Sequence, residues 1–342
     1  MDTKRTHWTA FESRDLNKLH LDRNEPQEWT WLHDYIRESQ SKTDFLEYPD
    51  IKQAYHNLST ITRFKPEYLM LTSGADDALS QILRLLASKI HFKEISMLTP
   101  TYAMAKVHAS NNGFVVREIP YMDGGNTLSY NESQLENTVV YLANPDNPTG
   151  HTHSPILIEK LVNNGSIVII DETYTCYNEL AHTYSEELLE SNRLYIIRSF
   201  SKTVGAGIKL GYIFSSKQCI DELRQNKLAY EISGLAASAL RSIAANRHAY
   251  YEMGFDVIVR KREIYHMLTE LDIDWIYTQT NFILCENTLP IREFLDKYCY
   301  YKIVEIDGYE YIKLTIPSEK DMKFFKDKFK EYINEKDNRK NR

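Results

Sequence analysis

The chain is predicted to fold as an α/β protein, with a mostly parallel central sheet flanked by helices and a smaller α/β domain towards the C-terminus. Short β-branched and aliphatic runs recur at Tyr68 to Leu71, Ile95 to Leu98, Val139 to Ala143, Ile167 to Ile170, Tyr195 to Ile197 and Gly211 to Phe214. Near-continuous apolar runs of this length suit strands buried on both faces. Helical periodicity lies between them. It is clearest in Ala78, Leu79, Ile82, Leu83, Leu85 and Leu86, whose i, i+3, i+4, i+7 spacing makes one apolar face. Alternation of the two patterns predicts helices packed on the faces of a sheet.

After about residue 235 the pattern changes to long charged helical stretches, such as Ala236 to Leu271. Short strand candidates follow at Asn281 to Cys285 and Tyr311 to Ile316, and a terminal helix candidate at Glu319 to Ile333. The expected organisation is an N-terminal arm (1–40) packing with the small domain, a large domain (41–245) and a small C-terminal domain (246–342). The last residues, with Lys336, Arg339, Lys340 and Arg342, read as a solvated basic tail.

Composition narrows the function. With 342 residues and 42% hydrophobic content the chain can fill a real core. A net charge of −7 argues against electrostatic nucleic-acid binding. Cys176, Cys219, Cys285 and Cys299 form no C-x-x-C pair, so neither a disulfide framework nor a metal site is expected. Met1 to Arg14 is polar, and no apolar run nears the roughly 18 residues of a membrane span. The expectation is a cytoplasmic protein acting on small molecules.

Four motifs carry chemistry. Asn144-Pro145-Asp146-Asn147-Pro148-Thr149-Gly150 follows the run Val139 to Ala143. Its prolines and glycine stop the strand and display an Asn at the carboxyl edge of the sheet, where α/β proteins bind ligands. Asp171-Glu172-Thr173-Tyr174 closes Ile167 to Ile170, and an acid ending so apolar a strand needs a cation or donors. In Arg198-Ser199-Phe200-Ser201-Lys202, two hydroxyls lie close to a lysine and a glycine-rich turn follows, with Gly205, Gly207, Lys209 and Gly211; this can hold a phosphate and present an amine. Gly205-Ala206-Gly207 is not a dinucleotide fingerprint, because the third glycine is misplaced and no acid follows at the required distance. Ser73-Gly74-Ala75 turns into the amphipathic helix and offers backbone N–H groups to an anion, with Asp76 and Asp77 expected to cap or face away. Alone, the first motif reads as an ordinary turn, and the second equally as a helix cap.

In this order and spacing, the motifs resemble the fold-type I pyridoxal-phosphate-dependent aminotransferases of class I/II, in particular the histidinol-phosphate aminotransferase branch. The likeness extends through Leu21-Asp22-Arg23-Asn24-Glu25-Pro26, Tyr48-Pro49-Asp50, Pro100-Thr101-Tyr102, Thr280-Asn281-Phe282 and Lys313-Leu314-Thr315. It implies that Lys202 bonds the cofactor aldehyde and moves the substrate Cα proton, and that Asp171 pairs with the pyridine nitrogen. It further implies that Asn147 and Tyr174 hydrogen-bond the ring 3′ oxygen and that Tyr102 stacks on the ring. Ser73, Gly74, Ala75, Ser199, Ser201 and Lys209 hold the phosphate, and Tyr48 reaches the phosphate of a neighbouring subunit in a homodimer.

The substrate side departs from the family. Lys209 replaces the arginine after the glycine-rich turn, one residue closer to Lys202. Lys313 replaces the arginine that grips the substrate carboxylate, and a further family arginine aligns near Glu305. Lysine holds an anion as a point charge, without the planar fork. Lys313, Asn24, Glu25 and Glu305 are assigned to substrate, with Glu305 read either as the partner of a cationic side chain or as a surface acid. Trp29 and Trp31 read either as a lid or as anchors of the arm to the small lobe. The expected reaction is transfer of an amino group from an amino acid or related amine to a 2-oxo acid. The alternative is a lyase, decarboxylase, cyclase or oxidase on the same cofactor.

Overall fold

The computed structural model describes residue 15 and residues 17–340, apart from 92, 124, 125, 128, 180–183 and 228. Met1 to Arg14 and the side chains of the basic tail lie outside the described residues. The central sheet has seven strands: β1 (Leu69–Thr72), β2 (Glu94–Thr99), β3 (Val115–Pro120), β4 (Val139–Ala143), β5 (Ile167–Asp171), β6 (Leu194–Ser199) and β7 (Gly211–Ser215). Their order is β1-β7-β6-β5-β4-β2-β3, with β7 antiparallel to both neighbours and the other pairs parallel.

Strands β1, β4 and β7 are buried at every position. The pleat divides β4 between the two faces, Val140 and Leu142 joining one core and Val139, Tyr141 and Ala143 the other. The second core receives Ala78, Leu79, Ile82, Leu83, Leu85 and Leu86 of the helix Ala75–Lys89, the face expected from periodicity. Edge strand β3 escapes the sequence pattern. Most of its side chains are exposed, so it carries Arg117, Glu118 and Pro120 rather than an apolar run.

The second sheet is antiparallel, with β8 (Trp275–Ile276), β9 (Phe282–Glu286), β10 (Lys302–Ile306) and β11 (Tyr309–Thr315) in the order β8-β9-β11-β10. Asp307 and Gly308, at φ 49° and 84°, make the two-residue turn between β10 and β11, with Ile306 opposite Tyr309. One face of this sheet packs Ile283, Cys285, Ile312 and Leu314 into a separate small core, while Phe282, Leu284 and Ile306 join the large core.

The helical stretch expected from Ala236 to Leu271 is two helices, Gly234–Ala245 and Arg247–Glu270, broken at Asn246. The first belongs to the large core through Ala236, Ala239, Leu240 and Ile243. The second serves both cores, through Tyr250 at one end and Ile264, Tyr265 and Leu268 at the other. The arm is shared likewise: Leu19–His20 pairs with Cys299–Tyr300, whereas Leu32 and Ile36 of the helix Trp31–Glu38 enter the large core. No helix among the described residues is long and apolar enough to cross a membrane.

Two contacts fix one lobe on the other beside the sheet edge. Gly150 adopts φ +69°, and a Cβ there would lie 2.3 Å from the Thr278 Cβ, so only glycine permits this approach. The Gln279 amide donates to the Gly150 carbonyl at 2.9 Å. Behind them, fully buried Lys261 donates to the Thr278 and Thr280 carbonyls, and burial lowers its pKa to about 8.

Candidate active site

Register explains why distant motifs meet. Gly211, the first residue of β7, lies opposite both Ser199 and Thr72, and Asp171 lies opposite both Ala143 and Ile197. The ends of β1, β4, β5 and β6 and the start of β7 therefore share one edge, where α/β sheets bind ligands. A cavity of about 350 Å³ opens there, lined among others by Asn24, Gly74, Tyr102, Asn147, Asp171 and Lys202.

Burial pushes the Lys202 amine below its ordinary pKa and Lys302 adds to that push, while Glu25, Asp76 and Asp171 oppose it. Asp171 is buried. It accepts hydrogen bonds from the Thr173 amide at 3.0 Å, the Thr173 hydroxyl at 2.6 Å and the Tyr141 hydroxyl at 3.1 Å. Burial nevertheless raises its carboxyl above the ordinary range, those donors offsetting only part of the rise. Among the described residues no cation forms an ion pair with it. The adjacent Glu172 is paired instead with Arg198 at 2.7 Å and accepts from Tyr184, which ties β5 to β6.

At the other end, Gly74 adopts φ +90° at the start of the helix Ala75–Lys89. A Cβ there would stand 3.9 Å from both Lys209 Nζ and Ser201 Oγ, so its absence leaves a cradle between helix N-terminus, amine and hydroxyl. Ser199 supports the cradle, its hydroxyl accepting from the Ser201 amide at 3.1 Å.

Asn24, at φ 55°, donates to the Tyr174 hydroxyl at 2.8 Å, and its carbonyl accepts from Asn281 at 3.1 Å. Lys313 Nζ donates to Asn147 Oδ1 at 2.8 Å and lies 4.8 Å from the Phe282 ring centroid. Burial lowers the Lys313 pKa to about 7, with Lys302 and Lys202 adding to the effect and Asp146 opposing it.

Of the expected site residues, Lys202, Asp171, Tyr174, Tyr102, Asn147, Gly74, Ala75, Ser199, Ser201, Lys209, Asn24 and Lys313 line this cavity. Four do not. Ser73 is turned away, its amide donating to Asp77 and its hydroxyl to the Glu231 carbonyl, so neither group is left for the cavity. Glu25 lines the neighbouring groove with Pro26 and Gln27 and acts on Lys202 through its charge. Tyr48 is 77% exposed and stacks on Tyr230, outside the cavity of its own chain. Glu305 lies opposite Glu310 on the face of the hairpin turned from the cavity. Strand alternation brings Lys302, not Glu305, into the lining.

Three further expectations change. Asp77 lies outside the cavity lining and accepts from the Ser73 amide and Gln81, but Asp76 faces the cavity, accepting from Tyr102 at 3.0 Å and held below the usual carboxylate range chiefly by His108. Trp29 and Trp31 do not line the cavity: both are exposed, with Trp29 stacked on His33 at the neighbouring groove that Glu25 also lines. Lys302 and Arg23 line it without having been singled out. Among the described residues, no group of three or more His, Cys, Asp or Glu side chains gathers as a metal site.

The residues fit pyridoxal phosphate. A buried carboxylate without an ion-pair partner suits a protonated ring nitrogen, a lysine with a lowered pKa suits an aldehyde, and the Gly74 cradle suits a phosphate. The family model described as aminotransferase class I and II matches residues 19–323. A histidinol-phosphate aminotransferase of Bacillus cytotoxicus is 31% identical over 248 residues, which are 69% of this chain and 65%, just under two thirds, of that protein. One of Pyrococcus furiosus is 25% identical over 284 residues, covering 78% of each chain. Among solved structures, histidinol-phosphate aminotransferase from Sinorhizobium meliloti in complex with pyridoxal-5′-phosphate superposes with a TM-score of 0.76 at 18% identity, covering 93% of this chain and 91% of that one.

Proposed function

Because this chain belongs to the aminotransferase class I and II family, we propose that it transfers an amino group from an amino acid or related amine to a 2-oxo acid with pyridoxal phosphate. The observation that carries the reading is one cavity with Lys202 and Asp171 in it and the Gly74, Ser201 and Lys209 cradle at one end. Bound there, pyridoxal phosphate supplies an aldehyde for the amino group and a ring that accepts the electron pair left when the Cα–H bond breaks.

The chain's own groups do the rest. Lys202 Nζ takes the proton from the substrate Cα and returns it elsewhere, and its lowered pKa keeps a larger neutral fraction ready to act as base. Asp171 is fixed by Thr173 and Tyr141 and holds the ring nitrogen protonated. Tyr174, oriented by Asn24, and Asn147, whose oxygen is taken by Lys313, offer the hydroxyl and the amide Nδ2 to the 3′ oxygen. Tyr102 is braced by Asp76 to lie on the ring face. The Gly74 and Ala75 amides, Ser201 and Lys209 take the phosphate, and Ser199, whose hydroxyl donates to the Leu210 carbonyl and accepts from the Ser201 amide, holds the cradle in place.

The working unit is proposed to be a cytoplasmic homodimer in which Tyr48, exposed and outside its own cavity, completes the partner's phosphate site. Mixing Tyr48→Phe and Lys202→Ala subunits tests the sharing. Verified heterodimers should regain part of the lost activity, and no recovery would refute it. The reaction is tested by borohydride reduction and peptide mapping, which should place the cofactor on Lys202. It is tested also by single-turnover assays against histidinol phosphate, glutamate and aromatic or basic amino acids. A 2-oxo product in one-to-one ratio with pyridoxamine phosphate supports transamination; product without pyridoxamine phosphate overturns it.

A further inference from the structure

Lys202 belongs to no strand or helix. The turn after β6 is drawn around the Phe200 carbonyl, which accepts from the Thr203, Val204 and Gly205 amides at 3.2, 2.9 and 3.2 Å. Those bonds leave the Lys202 carbonyl out, and the chain beyond it runs into Gly205 and Gly207. Among the described residues one group donates to that carbonyl, the Tyr177 hydroxyl, at 2.5 Å. The bond crosses from the segment that follows β5 to the segment that follows β6.

Tyr177 is itself held in place. It ends the short turn of helix Thr175–Tyr177, directly after Tyr174, and its amide donates to the Tyr174 carbonyl at 2.9 Å. The helix Arg247–Glu270 backs onto this turn: a Cβ at Gly254 would lie 2.3 Å from the Cys176 carbonyl oxygen, and the Tyr250 hydroxyl is 3.1 Å from Cys176 Sγ. The Tyr177 ring is buried in the large core. Burial also pushes its hydroxyl well above the ordinary tyrosine pKa, so it stays protonated and able to donate. A phenylalanine ring would fill the same space. The hydroxyl therefore answers to the Lys202 carbonyl and not to packing.

We propose that Tyr177 is a positioning residue for Lys202, its hydroxyl fixing the root of the lysine side chain against the segment that carries Asp171 and Tyr174. The proposal rests on the aminotransferase reading, in which Lys202 Nζ serves two positions. It condenses with the cofactor aldehyde, a C=N bond forming as one water leaves, and it is set free as an amine when the substrate's amino group takes its place. A flexible stem separates that amine from the backbone, so a fixed root is what returns it to within reach of the Cα proton. Without the Tyr177 bond the amine is still present, but a smaller share of its positions reaches the aldehyde or the proton.

The test is Tyr177→Phe, which deletes the hydroxyl alone, with 4-aminophenylalanine at position 177 as the variant that returns a donor on the same ring. The full-length apoenzymes are titrated with pyridoxal phosphate and with pyridoxamine phosphate, which has an amine in place of the aldehyde and forms no bond to Lys202. Tyr177→Phe should weaken pyridoxal phosphate binding roughly tenfold, the size of one buried hydrogen bond, and leave pyridoxamine phosphate nearly unchanged. In turnover kcat should fall roughly tenfold or more, with KM for the amino donor nearly unchanged. 4-Aminophenylalanine should recover most of both losses. Equal weakening of the two cofactor forms, which is what a purely structural role gives, overturns the proposal. So does unchanged pyridoxal phosphate affinity and kcat in Tyr177→Phe, or no recovery with 4-aminophenylalanine. Failure of the underlying reading registers separately, as absence of cofactor on Lys202 of the natural holoenzyme after borohydride reduction, a result that removes both.

Discussion

The two ends of the cavity are built by different means. The end proposed to hold the cofactor stands on the parallel strands of the central sheet, where Asp171 is buried, triply hydrogen-bonded and flanked by residues that belong to the core. The end proposed to take substrate hangs from a small antiparallel hairpin, with two lysines opposed and one of them exposed. Groups at the first end are held by neighbours close in sequence and by strands that cannot slide without disturbing a core. Groups at the second depend on which face of one hairpin is presented. The first end is thus fixed by the fold, whereas the second changes its charge with single substitutions.

The contrast can be broken in order of size. Lys202→Ala removes both the amine for the cofactor aldehyde and the proton carrier, so kcat should fall roughly 10⁴-fold, the upper range for one acid–base group. Borohydride should then leave no covalent link, and a link that persists would displace Lys202 from its role. Asp171→Ala should keep some cofactor bound but lower kcat about 10²–10³-fold, as expected when one preorganised charge is removed. A near-normal rate would refute the ring-nitrogen pairing.

Changes at the other end should act on binding. Lys313→Ala should raise KM for amino acids roughly 30-fold or more, and far less for amines without an acid group, since it deletes a buried charge. Equal effects on both would show that Lys313 serves the fold instead. The smallest effect is one of pH. Lys313 is charged below about pH 7 and neutral above it, so propionate affinity should decline as pH rises through that value. A bound anion shifts the midpoint upwards. A flat profile between pH 6 and 9 would remove Lys313 from anion binding.

The same contrast explains what was legible in the sequence. Asp171 ends an apolar strand, and Asn147 and Lys202 follow apolar runs in turns with proline or glycine close by, so strand position alone brings them to one edge. Asp76 was misplaced because its orientation depends on Tyr102 and His108, contributed by another helix. Edge strand β3 was missed because an exposed edge carries no apolar pattern. Lys302 was missed, and Glu305 put in its place, because a gapped comparison of short strands does not define which side chains of a hairpin share a face. That depends on register, a property of two strands at once.

The register in turn is set by two residues at the surface. Asp307 and Gly308 complete the turn in left-handed backbone conformations, and Ile306 meets Tyr309 because the loop has this length. One residue inserted there, with β11 held in place by β9, would rotate every side chain of β10 to the other side of the sheet. Ile303 and Glu305 would then occupy the face that Lys302 and Val304 hold now, with Ile303 in the place of the cavity-lining Lys302. A change of loop length, with no other substitution, is thus a route by which descendants of this chain reverse the charge that the hairpin presents on this face.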